Sequence, residues 1–150
     1  MEIVLYQPEI PQNTGNIVRT CSVTGCSLTL VRPLGFSVSD KTLKRAGLDY
    51  WNEVDIKYID DLEEYLNATS RQFYFFSSKA KQSHFEISYT PTDLLIFGSE
   101  TSGLDPKFYK KWPERFVKIP MLSSARCLNL SNSVAIAVYE ALRQNPELLV

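Results

Sequence analysis

The chain has a single histidine, His84, in 150 residues. One imidazole almost removes multi-histidine metal sites and weakens any serine–histidine–aspartate reading. Cysteine is nearly as scarce: Cys21, Cys26 and Cys127 are an odd number with no C-x-x-C pair. That usage points away from a disulfide framework and toward a reducing cytoplasm. The glycines form neither a G-x-G-x-x-G fingerprint after the first strand-like run nor a P-loop, which speaks against a dinucleotide enzyme on an ordinary doubly wound sheet. No apolar run approaches the ~20 residues of a membrane span. The N-terminus reads directly as a strand rather than as an export signal. Net charge is also small, with a formal value of −1. Any RNA binding would have to come from a local basic patch, or from patches joined across a dimer, and the charge neither proves nor excludes it.

What is present is core material: 44% of residues are hydrophobic and 12% aromatic. This length suits one compact domain, residues 1–150, and no repeat or linker divides it. Strand-like runs alternate with helical ones. Ile3–Tyr6 reads as a strand, Asn13–Thr24 as a helix closed by Gly25, and Ser27–Val31 as a second strand broken by Pro33 and Gly35. Asp40–Ala46 reads as a short basic helix carrying Lys41, Lys44 and Arg45. Glu53–Ile59 alternates like a half-buried strand, and Asp60 with Glu63 has the spacing of a capping box for the next helix. Gln72–Phe76, Leu94–Phe97 and Phe116–Ile119 are near-continuous apolar runs, as in strands covered on both faces. The last helix, about Ser131–Gln144, lacks a polar face and should be buried or form an interface. The sum is an α/β fold with a mainly parallel sheet and helices on both faces.

Three segments carry polar residues beyond what folding asks. In Asn13–Arg19, the residues Asn13, Asn16 and Arg19 make a polar ribbon at i, i+3, i+6, opposite Ile17, Val18 and Cys21. Such a ribbon is either an asparagine N-cap with a surface arginine or a phosphate and ribose site. Gly98–Leu104 follows a buried strand, at the position where open α/β sheets bind ligands, though taken alone it reads as a tight turn before it reads as a site. The third runs from Ile119-Pro120-Met121 through Arg126, Cys127, Leu128 and Asn129 into the last helix, for which Ser131 or Asn132 offers an N-cap.

Taken together, N-x-G-N-x-x-R, F-G-x-E-x-x-G-L and I-P-M…L-N-L-S-N-S-V-A resemble the three motifs of the SPOUT superfamily of RNA methyltransferases. Leu5–Asn16 and Lys44–Tyr50 look like its minimal TrmL/YibK subgroup, whose members carry no separate RNA-binding domain. The resemblance spans essentially the whole chain. It implies a deep C-terminal trefoil knot, which contradicts the general rule that chains do not knot. It also implies a homodimer through the first and last helices, and nothing in the sequence calls for a metal. The cofactor would be S-adenosylmethionine, leaving S-adenosylhomocysteine as product, held by Phe76, Gly98, Glu100, Ile119, Met121, Cys127, Leu128 and Ser133. Cys127 departs from the serine usual in close relatives.

The implied reaction is 2′-O-methylation of the wobble pyrimidine, position 34, of tRNA, with leucine isoacceptors expected. Another tRNA position, rRNA or a non-catalytic RNA-binding role are the alternatives. Arg19, Tyr139 and Asn16 become the catalytic candidates. Arginine is too basic to serve as the base, so Arg19 is expected to hold the substrate phosphate and hydroxyl while phosphate or water accepts the proton. Tyr139 is either a catalytic hydroxyl or a buried aromatic on an interface helix. Asn13, Lys41, Lys44, Arg45, Arg126 and Asn129 are the RNA-binding candidates. Lys79, Lys81 and His84 lie in the loop after Phe76 and within reach of RNA, without His84 as catalyst.

Overall fold

The computed structural model describes residues 1–39, 43 and 50–149. Its strands are β1 (Glu2–Tyr6), β2 (Ser27–Val31), β3 (Ile56–Ile59), β4 (Phe73–Phe76), β5 (Gln82–Ser83), β6 (Leu94–Phe97) and β7 (Phe116–Lys118). They form one sheet in the order β3-β2-β1-β6-β4-β7-β5, and every neighbouring pair is parallel. Among the described residues the α-helices are α1 (Pro11–Thr24), α2 (Leu62–Ala68), α3 (Pro106–Lys111) and α4 (Leu130–Gln144).

The pleat sorts the core into two layers. Ile3, Leu5, Leu28, Leu30, Leu95 and Phe97 pack with Ile17, Val18 and Cys21 of α1 and with Val134, Ala137, Val138 and Ala141 of α4. Their neighbours in the strands, Val4, Phe75, Leu94 and Ile96, pack on the other face with Leu62 and Leu66 of α2 and Phe108 of α3. Helices therefore cover both faces, as the apolar runs require. All four residues of β6 are buried; at ~1.5–3 kcal/mol per fully buried large side chain, this strand anchors the middle of the sheet.

Helix boundaries depart from the sequence reading in instructive ways. α1 starts two residues before Asn13, because Pro11 takes the first helical position, where its missing N–H is harmless. Its N-cap is Ile10, whose side chain makes no capping bond; Gly25 closes the other end at φ 69°. Asp61, not Asp60, caps α2, accepting the Glu64 N–H at 3.0 Å. Asp60 instead pairs with Arg32 at 2.8 Å. Asn129, rather than Ser131 or Asn132, caps α4 and accepts both of their N–H groups. β3 is shorter than Glu53–Ile59, and Tyr58 is exposed on this edge strand. The basic helix expected over Asp40–Ala46 lies outside the described residues, apart from Leu43, which is buried.

Two topological facts place the site. The chain builds β2 and β3 to one side of β1, then crosses to build the rest on the other side. Ligands bind at the carboxyl ends of strands beside such a reversal. In addition, β7 lies between β4 and β5, both of which precede it in sequence.

Candidate active site

A cleft of about 540 Å³ opens where β1, β6, β4 and β7 end, within the ~300–1,000 Å³ range of small-molecule sites. Phe76, Gly98, Glu100, Ile119, Met121, Cys127, Leu128 and Ser133 all line it, as do Asn13 and Asn129. Asn16, Arg19, Arg126 and Tyr139 do not line it. Lys41, Lys44 and Arg45 lie outside the described residues.

The loop after β6 is both a tight turn and a wall of the cleft. Ser99 and Gly103 exchange backbone hydrogen bonds at 3.1 and 3.0 Å, and Gly103 sits at φ 69°, where glycine is favoured. A Cβ on Gly98 would lie 2.3 Å from the Gly103 carbonyl carbon. The loop can fold back this closely only with glycine there.

A relay of polar side chains joins the three motif segments. The N–H groups of Glu9 and Ile10 donate to Glu100 Oε2 and Oε1 at 2.8 and 3.1 Å. Asn13 Nδ2 also donates to Oε1, at 3.0 Å. Glu100 thus satisfies backbone donors leading into α1 that no local side chain caps. Asn13 Oδ1 accepts from Asn129 Nδ2 at 2.9 Å, and Asn129 Oδ1 accepts the Ser131 N–H at 2.9 Å, which begins α4. Thr101 returns the tie, its N–H donating to Glu9 Oε2 at 3.1 Å.

The sequence reading put Glu100 against cofactor and Asn13 and Asn129 against substrate. In the structure each lines the cleft while its polar atoms hold the neighbouring segments. Asn13 is buried rather than part of an open ribbon.

The other members of the ribbon point elsewhere. Asn16 and Arg19 are exposed, and the Arg19 guanidinium lies 5.2 Å from the centre of the Tyr50 ring, a cation–π distance. On α4, Tyr139 is 55% exposed and Ile136 38%, while Val23 on α1 is 60% exposed. One side of α4 is therefore core, and the other is an uncovered apolar face beside α1 rather than a buried one. His84 is fully buried, with neither ring nitrogen hydrogen-bonded to a described residue. It packs against Phe76 and Phe85, so it is not available to RNA.

Sequence reasoning missed the cleft residues Ser77, Ser78 and Tyr109, and it read Lys79 as within reach of RNA rather than as part of the cleft wall. Ser77 and Lys79 follow the carboxyl end of β4, which the ligand-site rule for parallel sheets could have flagged. Tyr109 sits on α3, and nothing in its local sequence marks it.

Comparison with known proteins decides the family. The model of the SpoU rRNA Methylase family matches residues 1–139. The chain belongs to this family. A relative in Bacillus subtilis (strain 168) is 51% identical over 148 residues, covering 96% of this chain and 92% of its own. Relatives in Methylovorus glucosotrophus (strain SIP3-4) and Yersinia pestis are 46% and 43% identical, and each alignment covers 96% of this chain. They span 95% and 93% of the relatives, and both are named tRNA (cytidine(34)-2'-O)-methyltransferase.

A solved structure, described as giving structural insights into the 2-OH methylation of C/U34 on tRNA, superposes with a TM-score of 0.91. It is 42% identical, over 97% of this chain and 96% of that one. The SpoU methyltransferase AviRb from Streptomyces viridochromogenes, solved with AdoMet, has a TM-score of 0.85 over 97% of this chain and 58% of its own. At 23% identity it speaks for the shared SPOUT fold.

Proposed function

We propose that the protein transfers the methyl group of S-adenosylmethionine to the ribose 2′-hydroxyl of the wobble pyrimidine, position 34, of tRNA. Leucine isoacceptors are the expected substrates. The observation that carries the reading is the cleft, in which residues from separate stretches of the chain converge at the carboxyl ends of adjacent strands. The names of relatives aligned over nearly their whole length support this choice of reaction.

The cleft suits this cofactor. Phe76, Phe97, Ile119, Met121 and Leu128 give it apolar walls for an adenine ring, while serine hydroxyls and the backbone of residues 98–103 supply polar contacts. When bound, S-adenosylmethionine supplies an electrophilic methyl group on a sulfonium. The chain's own share is orientation, since correct alignment of reacting groups is worth several kcal/mol. Gly98 lets the loop approach closely, and Glu100, Asn13 and Asn129 hold α1 and α4 against that loop. No metal enters this reading. Among the described residues no cluster of potential ligands could hold one, and no helix is long and apolar enough to cross a membrane. The reading places the protein with tRNA in the cytoplasm, residues 1–150 acting as one methyltransferase domain.

Arg19, Asn16 and Tyr139 are the proposed catalytic residues, with Arg19 holding the substrate phosphate and 2′-hydroxyl. They lie outside the cleft on the outer sides of α1 and α4, beside the exposed Val23 and Ile136. We read this face as the contact with a second copy, which would bring Arg19 and Tyr139 to a completed site. Arg126 and the basic residues Lys41, Lys44 and Arg45 are proposed to meet tRNA phosphates. The position of β7 between two earlier strands supports threading of the C-terminal segment into the expected trefoil knot.

The deciding experiment is transfer of radiolabelled methyl from S-adenosylmethionine to unmodified total tRNA, followed by nucleoside mapping. Label in a 2′-O-methylated wobble pyrimidine is the expected result. Label at another nucleotide would move the target and keep the enzyme; absence of cofactor binding would sink the reading. Arg19→Ala is expected to abolish transfer while leaving cofactor binding intact.

A further inference from the structure

The loop that follows β4 is built to present one side chain. Ser77 N–H donates to the Val117 carbonyl at 2.9 Å, pinning the start of the loop to β7. Ser77 Oγ accepts from the Tyr109 hydroxyl and from the Lys79 N–H, the latter at 3.2 Å. The Ala80 N–H closes the turn on the Ser77 carbonyl at 3.1 Å, and Ala80 is buried. Tyr109 is itself fixed, its ring stacked on Phe116 at 3.7 Å between centroids. Between these anchors the exposed side chain of Lys79 lines the cleft.

Charge makes this position distinctive. Among the described residues that line the cleft, Lys79 is the only cation, and Glu100 is the only carboxylate. Glu100 already accepts from Glu9, Ile10 and Asn13. Lys79 makes no ion pair among the described residues. An unpaired ammonium group at the wall of a cleft whose other polar lining is uncharged, Glu100 apart, calls for an anionic oxygen on the ligand.

We infer that Lys79 pairs with the carboxylate at the amino-acid end of the cofactor, and that Ser77 and Tyr109 position it to do so. The inference rests on the cofactor reading above. It makes Lys79 a binding residue that selects the complete cofactor over an adenosine fragment lacking the amino acid. A phosphate oxygen of the RNA has the same chemistry and is the rival partner.

The test measures, by calorimetry, the affinities of wild type, Lys79→Met and Lys79→Arg for two probes. S-adenosylhomocysteine carries the carboxylate; 5′-methylthioadenosine lacks the amino-acid end. Lys79→Met keeps most of the apolar stem of an exposed residue, so folding is expected to survive, and circular dichroism checks it. The expected result is about a fivefold loss for S-adenosylhomocysteine in Lys79→Met, as for a partly exposed charged contact, with 5′-methylthioadenosine unchanged and Lys79→Arg restoring most of the loss.

Equal losses for both probes, or none for either, would overturn the assignment. So would unchanged S-adenosylhomocysteine binding together with weaker, less salt-dependent tRNA binding, which would give Lys79 to a phosphate. If wild type bound neither probe, the cofactor reading itself would fall and the assignment with it. Failure of the assignment alone leaves wild-type binding intact.

Discussion

Glu2 and Glu100 sit at opposite ends of the sheet, and each ties together segments far apart in sequence, but they do so with different partners. Glu2 opens β1 and is 2% exposed. It accepts from Thr29 Oγ1 on β2 and from the Tyr65 hydroxyl on α2, both at 2.7 Å, and from the Arg71 guanidinium. Burial pushes its carboxyl up, but those hydrogen bonds and the arginine charge outweigh it and hold the group below its ordinary range. The same burial, with the bond to Glu2, raises Tyr65 to about 12. Glu100 has no cation beside it among the described hydrogen bonds; its donors are two backbone amides and one side-chain amide. The amino end of the sheet is thus closed by a paired charge in the interior. The carboxyl end is held by directional bonds at the edge of an open cleft. One end secures the fold, and the other secures the shape of the site.

That contrast can be broken most directly at Glu2. Glu2→Gln keeps the size but leaves Arg71 without its counter-charge, and removing one partner of a buried pair costs about 3–5 kcal/mol. Because Arg71 is 32% exposed, a loss of about 3 kcal/mol, the low end of that range, is expected in urea unfolding, with activity per folded molecule unchanged. An unaltered unfolding curve would mean that the amino end does not carry the stability assigned to it.

Glu100→Gln should give the opposite pattern. It turns one acceptor into a donor facing N–H groups, so S-adenosylmethionine affinity is expected to fall about tenfold, the equivalent of one charged hydrogen bond. Stability should fall by only about 1 kcal/mol. Calorimetry and urea unfolding on the same preparation separate the two quantities, and a purely stability-linked effect would erase the difference between the ends.

The smallest expected effect concerns acid. Burial lowers the His84 pKa below 6.5, against a smaller opposing pull from Glu140; Glu140 itself is held at about 2, mainly by the Arg143 hydrogen bond. The unfolded chain then binds a proton that the folded chain resists, so stability declines as pH drops below about 6.5. Glu2, with its pKa lowered from 4.5, adds a second loss as pH falls through the carboxylate range. His84→Phe should flatten the upper part of the curve, by no more than about 1 kcal/mol, and leave the lower part in place. An unchanged slope between pH 6.5 and 5 in that variant would exclude His84 as its source.

Legibility from sequence followed the locality of the cause. β2 and β6 have the expected bounds because turn residues flank apolar runs that are buried throughout or nearly so. Asp60 and Asp61 are adjacent and chemically alike; the long-range partner Arg32 takes one and leaves the other to cap α2. At the start of α1, Pro11 takes the first helical position and the N–H of the N-cap Ile10 goes to Glu100, 90 residues away, a partner that the local sequence does not show. Gly98–Leu104 reads first as a turn, and it is both a turn and a wall of the cleft. The cofactor-lining set came from resemblance, not from periodicity, and α3 with Tyr109 carries no local sign of facing a ligand.

The amide of Asn13 gives to Glu100 at one end and takes from Asn129 at the other. Aspartate cannot supply the first bond, and leucine supplies neither. The three positions therefore behave as one inherited unit: a change at any of them should survive only alongside a compensating change at another. Descendants of this sequence would be expected to keep all three together, even where the residues touching RNA have diverged.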